Sequence, residues 1–175
     1  LARQSPDISQ RSGVSVRATI ANYEAMLANA LRRAITTGEQ EIVPRISDLP
    51  FIMPSMQGKV EFEAMEEGHE DKIIYRLFED AVRAVFGRFA DVQQLASMTL
   101  EFVDGMNVTT GESVPSAEYA AILNKVSGLT DLVTKLTRTE SSAEQASAIE
   151  FVLEGLHLNQ LLNKEQVNGR NTYRG

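Results

Sequence analysis

Between Ser15 and Gly38, the residues Val16, Ile20, Tyr23, Leu27, Leu31 and Ile35 recur at steps of three and four. A strand, whose side chains alternate with a period of two, cannot use that spacing, whereas an α-helix gathers it into one stripe. Ser15 offers a hydroxyl at the N-cap position and Gly38 comes after the last periodic residue as a stop. The pattern therefore predicts an amphipathic helix over roughly residues 15–37.

The next segment is broken by three prolines, Pro44, Pro50 and Pro54, which remove backbone donors and rule out a long helix or a central strand. This stretch reads as an ordered crossing segment with a turn of helix after Ser47, packed through Ile46, Leu49, Phe51 and Ile52. The acidic run "EFEAMEEGHEDK" reads as surface. It leads into a helix of about 70–88 whose buried side is Ile73, Ile74, Leu77, Phe78, Ala81, Val85 and Phe89. Further helices are predicted over about 91–104, with Val92, Leu95, Met98 and Phe102 on one stripe, and from Pro115 to Gly128. A short piece at "LTDLVTKL" comes next. Another helix is capped by the serines of "SSAEQASAIEFVLEGLHLNQLL", with Ala146, Ile149, Val152, Leu153, Leu156 and Leu161 as its stripe. "GMNVTTG" carries only a weak hairpin signal, and the polar tail "NKEQVNGRNTYRG" reads as frayed. With no persistent alternation elsewhere, the fold class predicted is all-α, a helical bundle.

The 175 residues suit one domain with a real core, and the 43% hydrophobic and 23% charged fractions are those of a globular chain with no membrane-spanning window. The absence of cysteine excludes disulfides and thiolate metal sites. A net charge of −7 with scattered lysine and arginine argues against nucleic acid and anionic membrane as partners. A cytoplasmic location fits these features. The opening on Leu1, without a start signal, reads as a chain cut from a longer one.

Arg11 and Arg17 bracket the entrance of the first helix. A guanidinium there opposes the helix dipole and asks for an anion. The simplest partner is a surface carboxylate such as Asp7, worth about 0–1 kcal/mol. The stretch from Gln10 through Arg17 into "ATIANYEAMLANALRRAI" also resembles the last lid helix of bacterial AAA+ ATPases related to the ATPase subunit of magnesium chelatase. "VPRISDLP" and "EFVLEGLHLNQLLNKE" are similar to the C-terminal region of the same group. The resemblance implies that residues 1–38 end an AAA+ lid and that residues 39–175 form a C-terminal helical extension. It implies that Arg17, with Arg11 in a weaker role, is the sensor-2 arginine that reaches the phosphates of ATP. The implied cofactors are ATP and Mg2+ in the parent protein. The implied partners are the chain's own upstream nucleotide-binding domain, neighbouring subunits of a ring and a protein with a von Willebrand A domain. The chain itself carries no phosphate-cradling G-x-x-x-x-G-K-[ST] loop and no Walker B carboxylates. The fragment would thus sense nucleotide without catalysing anything alone.

Two alternatives from other classes stand beside this reading. The spacings Glu66 to His69 and Glu154 to His157, with Glu24 and Glu101, match the ligand pattern of a ferritin-like di-iron bundle. Gly68 and Gly155 weaken both motifs as helices. The second alternative is a free-standing helical interaction domain.

Overall fold

The computed structural model describes residues 2–9, 11, 14–63, 69–90, 95–137 and 141–175. Its helices are α1 (Val16–Thr37), α2 (Met53–Met56), α3 (Glu70–Phe86), α4 (Leu100–Val103), α5 (Ser116–Leu123), α6 (Leu129–Leu136) and α7 (Ser142–Leu158). Single-turn and longer 3-10 segments run over Ala2–Gln4, Ile46–Ile52 and Ala96–Thr99. Three strands, β1 (Val108–Gly111), β2 (Asn163–Val167) and β3 (Arg170–Arg174), form an antiparallel sheet in the order β1-β3-β2.

The all-α expectation is therefore wrong: the fold mixes helices with a sheet. The tail expected to fray is a β-hairpin, pairing Asn163 with Arg174 and Val167 with Arg170. Its turn is Asn168-Gly169, both with positive φ (50° and 74°), the conformation that a type I′ hairpin turn demands and that these two residue types tolerate. β3 then alternates, with Asn171 and Tyr173 buried and Arg170 and Arg174 exposed. It also pairs with β1, the "GMNVTTG" stretch, from Val108 opposite Tyr173 to Gly111 opposite Arg170. Tyr173 places the sheet in the core: it is wholly buried among residues of the α7 cluster.

Helix α7 is the centre of that core. Its Ala146, Ile149, Val152, Leu153 and Leu156 are fully buried, as their spacing predicts, while Leu161 beyond the helix is half-buried. Ser141 caps its start, accepting the Glu144 N–H at 3.4 Å. α3, α5 and α6 all pack against it. α3 approaches so closely that a Cβ on Gly155 would lie 2.3 Å from the Phe86 ring, so the glycine that looks like a flaw in the helix is where an aromatic ring lies flush on its backbone. A second cluster joins Ile8, Ala18, Met56, Val60, Ile73, Ile74 and Leu77. On α3 the expected Ile73, Ile74 and Leu77 are buried, but Phe86 replaces the exposed Val85 and Phe89. The predicted helix over 91–104 falls partly on residues outside the described ones. From Ala96 it is a 3-10 turn leading into α4, with Met98 and Phe102 inward and Leu100 outward. No helix among the described residues is long and apolar enough to cross a membrane.

Gly155→Ala should lower the unfolding free energy by about 1–3 kcal/mol through the clash with Phe86, although alanine is favoured over glycine in a helix by about 1 kcal/mol. Denaturant unfolding of the two chains checks this, and a variant as stable as the parent would show that the ring yields freely.

Candidate functional site

Helix α1 has the predicted ends. The Ser15 hydroxyl accepts the Arg17 N–H at 3.2 Å, and Gly38 adopts a left-handed φ of 73° while donating to the Ala34 carbonyl. The entrance is pinned by a bridge between Val14 and Val60 and by the Ser15 N–H to the Lys59 carbonyl at 3.2 Å. The stripe, however, faces out. Val16, Ile20, Tyr23, Leu31 and Ile35 are 44–73% exposed. The buried face is instead Ala18, Asn29, Ala30, Arg33 and Ala34.

The reason is a buried ionic network under that face. Asp48, with no exposed surface, accepts from Arg33 Nε at 3.3 Å and Nη2 at 3.1 Å, from Asn29 Nδ2 at 2.7 Å and from the Arg45 backbone N–H at 2.8 Å. Arg33 also donates to Glu39 at 3.0 Å and to the Val43 carbonyl at 2.6 Å. Arg45 donates to Glu39 at 2.7 Å, to the Val114 carbonyl at 2.9 Å and to the Ser116 hydroxyl, with its guanidinium 4.9 Å from the centre of the Tyr119 ring. On the far side Glu150, fully buried in α7, accepts from the Ser47 N–H at 2.8 Å and from the hydroxyls of Ser47 and Tyr119. The 3-10 segment Ile46–Ile52 is thus held between α1 and α7 through its polar residues. Of the four side chains expected to pack it, Ile52 is buried, Ile46 and Leu49 are half-buried, and Phe51 is exposed.

The electrostatics follow from enclosure. Burial pulls the Arg33 pKa down, but the bond and charge of Asp48 and the charges of Glu39 and Glu150 outweigh it and leave it above the ordinary value. Burial pushes Glu39 up, yet the Ser116 N–H and the Arg45 charge more than reverse that and hold it below the carboxylate range. For Glu150 burial dominates: its pKa is raised, with the Tyr119 and Ser47 hydrogen bonds opposing only in part. Tyr119 is raised by burial and by the adjacent Glu150.

The two arginines read from the sequence are placed differently. Arg17 stands in solvent at the N-terminal end of the outward stripe, and Arg11 is exposed in the preceding turn. Among the described residues neither has an ion-pair partner. Asp7, the simplest candidate partner, pairs with Arg76 instead. The di-iron ligand set does not assemble from the described residues: no three His, Asp or Glu side chains converge. Glu66 lies outside them, His69 is exposed at the start of α3, and Glu24 is exposed on α1. Glu154 accepts from Lys164 at 2.8 Å and from the Tyr173 hydroxyl at 2.7 Å, while His157 Nδ1 faces the Leu162 carbonyl at 3.0 Å.

Arg33, Glu39, Arg45, Asp48 and Glu150 carry no motif that marks them in advance. One signal was present: the face of α1 between its apolar residues is made of alanine and asparagine, small enough to let a second segment approach the helix backbone. A cavity of about 250 Å³ opens beside the network, between the 3-10 segment, α3 and the C-terminal hairpin. Compared with family models, curated proteins and solved structures, the chain matches none.

A raised carboxyl pKa means the folded state holds its proton more tightly than the unfolded chain. Its contribution is therefore full below the unfolded value and is lost as pH rises through the folded one. Glu150→Gln, a neutral stand-in for the protonated acid, should remove that loss. As pH rises above the ordinary carboxylate range the stability of the parent should fall relative to the variant, by at most about 1.4 kcal/mol per pH unit, until the folded acid has ionised. Superimposable pH profiles in denaturant unfolding would contradict this.

Proposed function

We propose that the chain is the C-terminal part of an AAA+ ATPase related to the magnesium chelatase ATPase subunit. In this reading residues 1–38 end the lid, residues 39–175 extend it, and Arg17 senses the phosphates of ATP bound with Mg2+ by an upstream nucleotide-binding domain. Neighbouring subunits of a ring and a von Willebrand A domain protein are the proposed recipients of the signal.

The observation that carries the reading is the outward apolar stripe of α1 with the exposed Arg17 guanidinium, which has no ion-pair partner among the described residues, at its leading end. A helix locked by its polar face leaves its apolar face available for another body. A guanidinium at that edge, planar and permanently charged, is the side chain best matched to a phosphate. Loss of a γ-phosphate would then weaken the contact and free the lid to rotate. A second support is that the three stretches resembling this ATPase group supply the network itself. "ALRRAI" contributes Arg33, "VPRISDLP" contributes Arg45, Ser47 and Asp48, and "EFVLEGLHLNQLLNKE" opens with Glu150. Those residues fix how the lid helix sits on the extension.

In the protein joined to its nucleotide-binding domain, Arg17→Ala should leave folding unchanged, because the side chain is solvated. Hydrolysis should fall roughly tenfold to a hundredfold, the effect of losing a charge-assisted contact of about 1.5–3 kcal/mol. Arg17→Lys should restore part of it, and Arg11→Ala should be milder. Steady-state ATPase rates alongside thermal melts decide the matter, and unchanged hydrolysis in a well-folded Arg17→Ala protein would overturn the sensor role.

A further inference from the structure

The cavity of about 250 Å³ is large enough to admit a small organic group. One wall is a face of α3: Tyr75, Phe78, Glu79 and Val82 stand at steps of three and four and line it together. Phe51 from the 3-10 segment and Leu158 from the end of α7 also line it. This face of α3 adjoins its core face: Ile73, Ile74 and Leu77 belong to the second cluster, and Phe78 packs against it while also lining the cavity. Three aromatic side chains thus border one small space, with Phe51 and Tyr75 40% and 45% exposed.

The charges of the lining do not cancel. Glu154 is bonded to Lys164, the only cation that lines the cavity among the described residues, and Glu112 is paired with Arg32. Glu79 is exposed and has no ion-pair partner among the described residues, which leaves one uncompensated carboxylate at the aromatic wall. An anion entering here would meet Glu79, Glu112 and Glu154 with the one ammonium already engaged. A cation would meet a free carboxylate and the negative faces of aromatic rings, a combination that attracts ammonium and guanidinium groups. The Phe51 ring already holds one such group: the Arg32 guanidinium lies 4.9 Å from its centre.

From these placements we propose that the cavity binds an organic cation carried on an apolar stem, the stem against Phe51, Phe78, Val82 and Leu158 and the charge at Glu79 and Tyr75. The site is separate from Arg17 and does not rest on the ATPase reading. The same chemistry is offered by a small amine and by an arginine side chain of a partner protein.

The test titrates the isotopically labelled 175-residue chain with phenylpropylamine and with phenylpropionate, which share a body and differ in charge. The amide signals of Phe51, Tyr75, Phe78 and Leu158 should move saturably with the amine and stay in place with the acid. Glu79→Gln, an exposed substitution that leaves the remaining spectrum unchanged, should weaken the amine by about fivefold or more. The peptide acetyl-Leu-Arg-Leu-amide supplies the second arm. Binding tighter than the amine assigns the cation to a partner protein, and weaker binding assigns it to a small molecule. Equal shifts with both phenylpropyl probes, no saturable shift with either, or undiminished binding by Glu79→Gln would overturn the proposal.

Discussion

Asp48 is the point on which the arrangement of this molecule turns. Its carboxylate has no exposed surface and accepts hydrogen bonds from Arg33, Asn29 and the Arg45 backbone. Removing a charged partner from such a buried pair typically costs about 3–5 kcal/mol, because the remaining charge stays enclosed and unpaired. Any orientation of α1 that turns Arg33 outward incurs that cost at Asp48 and also removes one of the two guanidinium partners of Glu39, which keeps Arg45. Burying an apolar side chain of the stripe instead would return about 1.5–3 kcal/mol each, and less for those already partly covered. The ionic contacts also fix direction, since a bidentate guanidinium tolerates little rotation. Apolar packing alone would not select one face of α1 over the other so sharply.

From that constraint the other features come in order. With Arg33 and Asn29 turned inward, the 3-10 segment Ile46–Ile52 lies against α1, and its Ser47 reaches Glu150 at the centre of α7. Tyr119 of α5 meets the same carboxylate, so α5 joins the network, and its hydroxyl in turn accepts the Gly111 N–H of β1. The sheet is tied in again through Tyr173 and Glu154. A continuous line of buried polar contacts therefore runs from α1 to the C-terminal hairpin. A protein that had to pass a change at α1 to the far end of its chain would be served by such a connection, because polar networks of fixed geometry have few alternative arrangements.

Much of the helical framework was legible because its signals are local. Ser15 and Gly38 delimit α1, Ser141 begins α7, and the apolar spacing of α7 names its buried residues. Two features were not legible in this way. The facing of α1 was hidden because periodicity finds a stripe without saying what it faces, and here long-range ion pairs override the hydrophobic preference. The sheet was missed although part of its signal is present: Asn168-Gly169 between short alternating runs is a strong hairpin turn, masked by the polarity of the flanking residues. β1 had no comparable signal, since its partner lies more than fifty residues away. At the site, Arg17 and Arg11 were visible from charge at a helix entrance. The cavity was not, because its walls come from segments that only the fold brings together.

Since the chain has no cysteine, single cysteines can report the facing of α1 without interference. The most direct test is the rate of thiol labelling at Ile20→Cys and Ile35→Cys on the apolar stripe, set against Ala30→Cys and Ala34→Cys on the polar face, under native conditions. The inverted packing predicts that the first pair reacts nearly as fast as in denaturant and that the second pair is strongly protected. Protection of Ile20→Cys and Ile35→Cys with free labelling at Ala30→Cys and Ala34→Cys would contradict it, and with it the claim that a buried ionic network, rather than apolar burial, orients this helix.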